Sequence, residues 1–178
     1  MSDDFLSDFS AMQDGFERLW APHRLVYLRD HQQPADEDCP FCAAPKKSLE
    51  DGLVVKLGKT CFVLLNLFPY NPGHLLVCPY RHFDTYDKAT ADEVAEMGLL
   101  TQQAMKTLQT VSSVHGFNLG MNQGEVAGAG IASHLHQHIV PRWRNDSNFF
   151  PIIAQTKARP ILLGQMRETI ANNWVESV

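Results

Sequence analysis

Apolar residues recur along this chain in two rhythms, every three to four positions and every second position, and the changes between them mark out its elements. Residues 8–20 place Phe9, Met12, Phe16 and Leu19 at helical spacing, and "HRLVYL" (23–28) reads as a short strand. Residues 30–51 are polar, contain Pro34, Pro40 and Pro45, and predict loop. "LVVKL" (53–57) and "TCFVLLN" (60–66) are β-rich runs, and the Gly58-Lys59 step between them predicts a hairpin. "PYNPG" (69–73) is a turn cluster, and "HLLVCP" (74–79) is a further strand. Thr90 and Glu93 have the spacing of a capping box. Beyond them Val94, Met97, Leu100, Ala104, Leu108 and Val111 form one apolar stripe, so a long helix is expected to stop near Gly116. "FNLGM" (117–121) predicts a strand, "NQGEVAGAG" (122–130) a Gly-rich loop, and "ASHLHQHIVPR" (132–142) the last core strand. A helix is expected over 160–172. Sequential strands with hairpin-like joins and one long helix predict an α+β domain on an antiparallel sheet of about five strands.

The chain has 178 residues and 44% apolar content, which suits one globular domain able to bury a core. Within it, 1–22 is expected to form an N-terminal helical extension and 145–178 a C-terminal tail and helix. The net charge of −5 lacks the basic excess of a duplex-binding surface, so nucleic acid is not an expected partner. No apolar run approaches the roughly 20 residues needed to span a bilayer, and "MSDDFLSDFS" lacks a secretion signal's basic and apolar segments. A cytoplasmic protein is expected, with its four cysteines unpaired. Cys61 and Cys78 sit in apolar runs and read as small core residues. Cys39 and Cys42, in "DCPFC", form a C-x2-C knuckle, which fits either a structural metal or two free thiols.

The chemistry concentrates in "SHLHQHIVPRW" (133–143), where His134, His136 and His138 alternate. On a strand they share one face, with Leu135, Gln137 and Ile139 on the other; Gln137 then needs a hydrogen-bond partner. The row can be a solvated polar face. It can also bind one metal, but the outer pair lies about 13 Å apart on a regular strand, against Zn–N bonds of about 2.1 Å. A third reading divides the work: one imidazole attacks phosphorus while its neighbours orient it and hold the phosphate. Neutral imidazole is a competent nucleophile near pH 7. Gly124, Gly128 and Gly130 in the preceding loop let backbone N–H groups approach an anion.

"HLHQHIV" (134–140) resembles the signature of the histidine-triad family, His-φ-His-φ-His-φ-φ with φ hydrophobic, departing only at Gln137. "LNLFPYNPGHLLVCPYRH" (65–82) is similar to the family's nucleotide-pocket hairpin. "LWAPHRLVYL" (19–28), "GAGIASHLHQHIVPRW" (128–143) and "NFFPIIAQTKARP" (148–160) resemble the bacterial diadenosine tetraphosphate phosphorylase branch, which usually has Trp where His23 stands. The resemblance implies that His136 attacks the α-phosphorus of a dinucleoside polyphosphate to form a nucleotidyl-histidine. Its other ring N–H would donate to the carbonyl of His134, and His138 would donate to the phosphate or leaving oxygen. Asn122 would contact the phosphate, and Asn66 the ribose hydroxyls. His74 corresponds to a supporting histidine that could bond His134 or set the site's protonation.

Many hydrolytic relatives carry Gln four residues before the first histidine and then a small hydroxyl residue. Here Gly130 and Ile131 stand at those positions. Two side-chain phosphate donors are thereby absent, leaving backbone N–H groups and room for a second anion, which favours inorganic phosphate as co-substrate. Zinc-bearing relatives complete the knuckle with the histidines that here are His82 and His134, giving with Cys39 and Cys42 a structural Cys2His2 site. The resemblance further implies a homodimer or higher assembly. Hydrolysis of dinucleoside polyphosphates or nucleoside phosphoramidates, a zinc-dependent hydrolase with the triad as metal site, and a non-catalytic nucleotide-binding protein remain the alternatives. His23 and His31 read as surface or interface residues, and His115 as a helix C-terminal cation or a polar surface residue.

Overall fold

The computed structural model describes residues 38–144, 146 and 161–176. The helix expected over 8–20, the strand at 23–28, His23, His31 and the 148–160 segment lie outside the described residues. The elements are α1 (Pro40–Ala43), β1 (Val54–Leu57), β2 (Cys61–Leu65), β3 (Leu75–Pro79), α2 (Ala91–Ser112), β4 (Gly116–Gly120), β5 (Gln137–Arg142) and α3 (Leu163–Asn172). The strands form one antiparallel sheet in the order β1-β2-β3-β5-β4. The α+β prediction of about five strands, a long helix and a C-terminal helix holds. No helix of the described residues is long and apolar enough to cross a membrane.

Strands β2 and β3 are buried along their whole length, which explains why they read as unbroken apolar runs. Val63, Leu65, Leu75, Val77 and Ile139 face a core completed by Met97, Leu100, Ala104 and Leu108 of α2 and by Met166 and Ile170 of α3. Phe62, Leu64, Leu76 and Cys78 point to the opposite face, where Cys39, Phe41 and Ala44 of the knuckle cover them. His138 is paired with Leu76, so the last histidine of the row lies on this second face, away from α2.

Several boundaries differ from the expected ones for local reasons. Leu53 has φ of 54° and cannot continue a strand, so β1 starts at Val54. The β1–β2 connection has three residues rather than two. The Glu96 carboxylate of α2 accepts from Lys59 N, Thr60 N, Thr60 Oγ1 and Cys61 N, so the turn is tied to the helix. The capping box is formed: Glu93 N donates to Thr90 Oγ1 and Thr90 N donates to Glu93 Oε2. The helix ends at Ser113 in the left-handed conformation, and Val94, expected in the apolar stripe, is 37% exposed. Glu93 takes the buried place at that end of the helix because Arg81 grips its carboxylate with two N–H groups at 2.8 and 3.1 Å.

The last strand is shorter than its pattern. It begins at Gln137, not 132. The backbones of His74 and Tyr80 bond to Asn66 and Thr60, which flank β2, so the odd-numbered residues between them turn toward β5. Pro79 is such a residue. It has no N–H to offer, and its carbonyl accepts from the His134 ring instead, so the β3–β5 ladder stops there. Gly73, at φ of 74°, makes the turn into β3; a Cβ would also lie 3.1 Å from Leu108.

Hydrogen bonds from Arg81, offset by burial and aided by the Thr90 donors, hold the Glu93 carboxyl below its ordinary value of 4.5. A depressed carboxyl contributes stability that is complete above that value and lost as pH falls through the folded one. Glu93→Ala is therefore expected to cost about 1–2 kcal/mol at pH 7 in chemical denaturation. Its deficit against the parent should narrow as the pH is taken below about 4.5.

Candidate active site and metal cluster

Cys39 is the N-cap residue of α1, and Pro40 at the first helical position fixes the turn. One turn of helix brings Cys42 back toward Cys39. The Sγ atoms of Cys39 and Cys42 each lie 3.4 Å from His134 Nδ1, and Cys42 Sγ lies 3.3 Å from His82 Nδ1. All four ligand atoms fall within 4.8 Å of one another. Tetrahedral zinc with Zn–S near 2.3 Å and Zn–N near 2.1 Å separates S from N by about 3.5 Å, so these spacings suit such an ion. His134 Nε2 donates to Pro79 O at 2.9 Å, which leaves Nδ1 as a bare lone pair facing the thiols. Burial, opposed by that bond, lowers the imidazole's pKa to about 4, so it is neutral and fit to ligate. The described residues thus hold a cluster able to coordinate a metal, made of the four residues expected.

His134 also serves the next histidine. Its carbonyl accepts from His136 Nδ1 at 2.8 Å. A carbonyl can only accept, so the proton is on Nδ1 and Nε2 of His136 carries the free lone pair. The ring is buried and its pKa is lowered by that burial, against the effect of the bond to His134, so it stays neutral. Phe41, between the two cysteines, lies with its ring centroid 4.9 Å from that of His136 and 5.6 Å from that of His134.

His138 is oriented by a second chain of bonds. Tyr70 N donates to His74 Nδ1 at 3.0 Å, so His74 carries its proton on Nε2. That Nε2 lies 2.9 Å from His138 Nδ1 and donates to it, which places the His138 proton on its own Nε2. His74 therefore supports His138 rather than His134. The Tyr70 ring stacks on His138 at 5.7 Å and tilts over His74 at 4.7 Å. The site thus combines a neutral ring with a bare nitrogen, His136, and beside it at 5.0 Å between centroids a ring whose remaining nitrogen is a donor, His138. One can bond to an electrophile and the other can protonate what leaves.

The other expected residues fall as follows. Asn66 accepts from Phe68 N at 3.0 Å and directs its amide nitrogen to His74 Nδ1 at 3.3 Å, so both ends of the amide shape the hairpin that carries His74. Asn122 lies two residues beyond Gly120, the β4 partner of His138, at the end of the sheet where the histidines emerge. Gly124 and Gly128 have φ near 79°, but Gly130 is not among the positive-φ glycines. Its feature is a missing side chain, not a special backbone conformation. Ile131 packs its side chain against the knuckle cluster, so only its backbone is available to an anion. Exposed His115 accepts from Arg144 N, a surface polar role. Phe41, Tyr70 and the Pro79 carbonyl were not singled out in the sequence. Phe41 could have been found from its place between two converging cysteines; a carbonyl leaves no mark in a sequence.

The HIT domain family matches residues 49–145. The chain is 45% identical over 168 residues to an AP-4-A phosphorylase of Mycobacterium tuberculosis, covering 91% of this chain and 86% of that protein. It is 34% identical over 85 residues to a bifunctional bis(5'-adenosyl)-triphosphatase/adenylylsulfatase of Arabidopsis thaliana, covering 48% of this chain and 47% of that protein. Among solved structures, a hypothetical histidine triad nucleotide-binding protein of Sulfolobus tokodaii superposes with TM-score 0.59 and 30% identity over 75% of this chain and 93% of its own. A Zn-bound histidine triad family protein of Mycobacterium smegmatis does so with TM-score 0.58 and 23% identity over 78% and 96%.

The proton positions can be read directly. In 15N-resolved NMR of the histidine rings, His136 is expected as the Nδ1–H tautomer, and His74 and His138 as Nε2–H. Because burial holds His136 below its ordinary 6.5, it should remain neutral at that pH and charge only on further acidification. A proton on His136 Nε2 at neutral pH would contradict the bonding described.

Proposed function

The chain belongs to the HIT-domain family of nucleotidyl-transferring enzymes, and from that premise we propose that it cleaves diadenosine tetraphosphate with inorganic phosphate, by way of His136, giving ATP and ADP. The observation that carries this reading is the bare Nε2 of buried, neutral His136, beside the donor nitrogen of His138. In the first step Nε2 attacks the α-phosphorus and the bond to the bridging oxygen breaks. The leaving ATP oxygen takes the proton of His138 Nε2, and an adenylyl-histidine remains. In the second step an oxygen of inorganic phosphate attacks the same phosphorus. The P–N bond breaks, ADP leaves, and His138 recovers a proton from the attacking phosphate. The bond from Nδ1 to the His134 carbonyl supports the charge that develops on the ring while it is bonded to phosphorus, as an orienting group does in a catalytic triad.

Phosphate as second nucleophile is supported by the name of the mycobacterial relative and by the loop. Gly130 and Ile131 offer no polar side chain where hydrolytic relatives carry Gln and a small hydroxyl residue, which leaves backbone N–H groups of this loop for a second anion. Asn122, Gly130 and Ile131 are assigned to phosphate contacts through this loop. Asn66 is assigned to the wall of the nucleoside pocket, with the second hydrogen and second lone pair of its amide available to a ribose hydroxyl. Hydrolysis is the second reading, favoured by the likeness to the plant bis(5'-adenosyl)-triphosphatase. The proposed assembly is a homodimer, for which β4 at the sheet edge and Leu119, 48% exposed on it, offer a surface.

The metal we propose at Cys39, Cys42, His82 and His134 is zinc. The donor set, two thiols and two neutral imidazole nitrogens, fits it. A closed set of four protein ligands supplies a cross-link rather than a reactive metal-bound group. His134 would therefore serve structure through its ring and chemistry only through its carbonyl.

With diadenosine tetraphosphate and labelled phosphate, the label is expected in ADP, with ATP as the other product. AMP and ATP alone, whether or not phosphate is present, would leave hydrolysis as the activity. His136→Ala should abolish turnover while keeping nucleotide affinity within about tenfold, because it removes a covalent step.

Protein purified without added metal is expected to carry one zinc per chain. Cys42→Ser should lower that content well below one and lower the melting temperature, whereas His136→Ala should keep it. Metal loss on His136→Ala would instead place the triad itself in the metal site.

A further inference from the structure

We propose that Phe41 is a positioning residue for the nucleophile: the ring carried between the two cysteines holds the His136 imidazole in the orientation that bonds the His134 carbonyl. This deepens the reading of His136 as nucleophile and rests on it. The His136 ring has Phe41 against it at 4.9 Å with an interplanar angle of 45°, and His138 against it at 5.0 Å and 70°. Its one hydrogen bond given by the structure, from Nδ1, fixes a single point on the ring. One such bond leaves the imidazole free to swing about it, and a neighbouring ring on one side alone does not prevent that. Phe41 supplies a second ring packed against it. It is 7% exposed, and it sits in the same apolar layer as Leu76 and Cys78 beneath the histidine face.

Phe41 is itself held by the metal cluster. It lies between Cys39 and Cys42 on the single turn of α1, closed by Ala43 N donating to Cys39 O at 3.1 Å. It also meets the His134 ring edge to face at 5.6 Å and 76°. Two independent contacts therefore run from the knuckle to the nucleophile. One passes through the His134 backbone to Nδ1 and the other through Phe41 to the imidazole ring. A zinc ion at the four ligands would fix both ends of the turn that carries this phenyl ring.

The test uses the full-length, zinc-loaded protein, with metal content and melting temperature measured for every variant. Phe41→Leu keeps apolar volume and removes the flat ring; Phe41→Tyr keeps the ring. At fixed neutral pH, 15N spectra of Phe41→Leu are expected to show His136 moving from a fixed Nδ1–H tautomer toward an average of the two. Its kcat should fall about tenfold or more with KM within about twofold, since misorientation of a reacting atom acts on the chemical step. Metal content should stay at one per chain, and Phe41→Tyr should restore both spectrum and kcat. The proposal is overturned if Phe41→Leu leaves the His136 spectrum and kcat at parental values. It is equally overturned if the loss follows metal content and is repaired by added zinc, for then Phe41 serves the knuckle alone. Should Phe41→Leu not fold, Phe41→Met, which fills the space without a rigid ring, is read in the same way. His136→Ala run in parallel separates the two ideas: if it retains turnover the nucleophile assignment fails, while the spectra still decide whether Phe41 holds the ring.

Discussion

The site depends on one residue being gripped at three points. His134 directs ring Nδ1 at two thiols, donates from ring Nε2 to the Pro79 carbonyl, and accepts His136 Nδ1–H on its own carbonyl. The first contact stabilises the neutral ring as a ligand, the second selects its tautomer, and the third selects the tautomer of its neighbour. A histidine donating to a carbonyl has no choice of proton position. From that constraint the free lone pair on His136 follows without reference to any substrate. Losing the ring's anchorage would move the carbonyl, and with it the group that keeps His136 Nε2 unprotonated.

The fold makes this possible by ending a strand pair early. Regular alternation over 132–142 would have spread the three imidazoles along one straight edge, with the outer two about 13 Å apart. Pro79 interrupts the β3–β5 ladder where His134 and His136 lie, so these two leave the strand geometry and turn toward the knuckle. Only His138 remains in register, opposite Leu76 and Gly120. The division of labour among the three rings is thus a consequence of where the ladder stops.

Much of this was legible in the chain because it rests on local pattern. The strands from 53 to 79, the capping box at Thr90, the long helix and the antiparallel α+β arrangement all follow from periodicity and turn residues, which act over a few positions. The four-residue metal cluster was legible only through resemblance, since Cys39 and His134 are distant in sequence and meet through folding. What could not be read depends on which of two competing partners a polar group takes. Glu93 displaces Val94 from the buried end of the helix because Arg81 reaches it across the gap from β3. His74 bonds His138 because the Tyr70 N–H occupies its other nitrogen. Asn66 directs one amide hydrogen and one oxygen lone pair into the hairpin. Each outcome turns on bonds between segments whose spacing the sequence does not state.

Gln137 shows why a departure from the triad pattern can be neutral for chemistry. The pattern expects an apolar residue there, on the face away from the histidine rings. Gln137 does face the helix, and its Nε2 donates to Thr101 Oγ1 at 3.0 Å. The Thr101 hydroxyl spends its own proton on Met97 O at 2.7 Å, so its oxygen is free to accept. The Gln137 amide nitrogen and the Thr101 hydroxyl thereby each have a partner beside an otherwise apolar layer that includes Leu135 and Ile139. A lone Gln would cost the desolvation of its amide; paired with a buried threonine on α2 it becomes a specific tie between the histidine-bearing strand and the long helix. Because adjacent residues of a strand face opposite ways, the tie fixes the strand from behind while the rings of His136 and His138 remain on the other face.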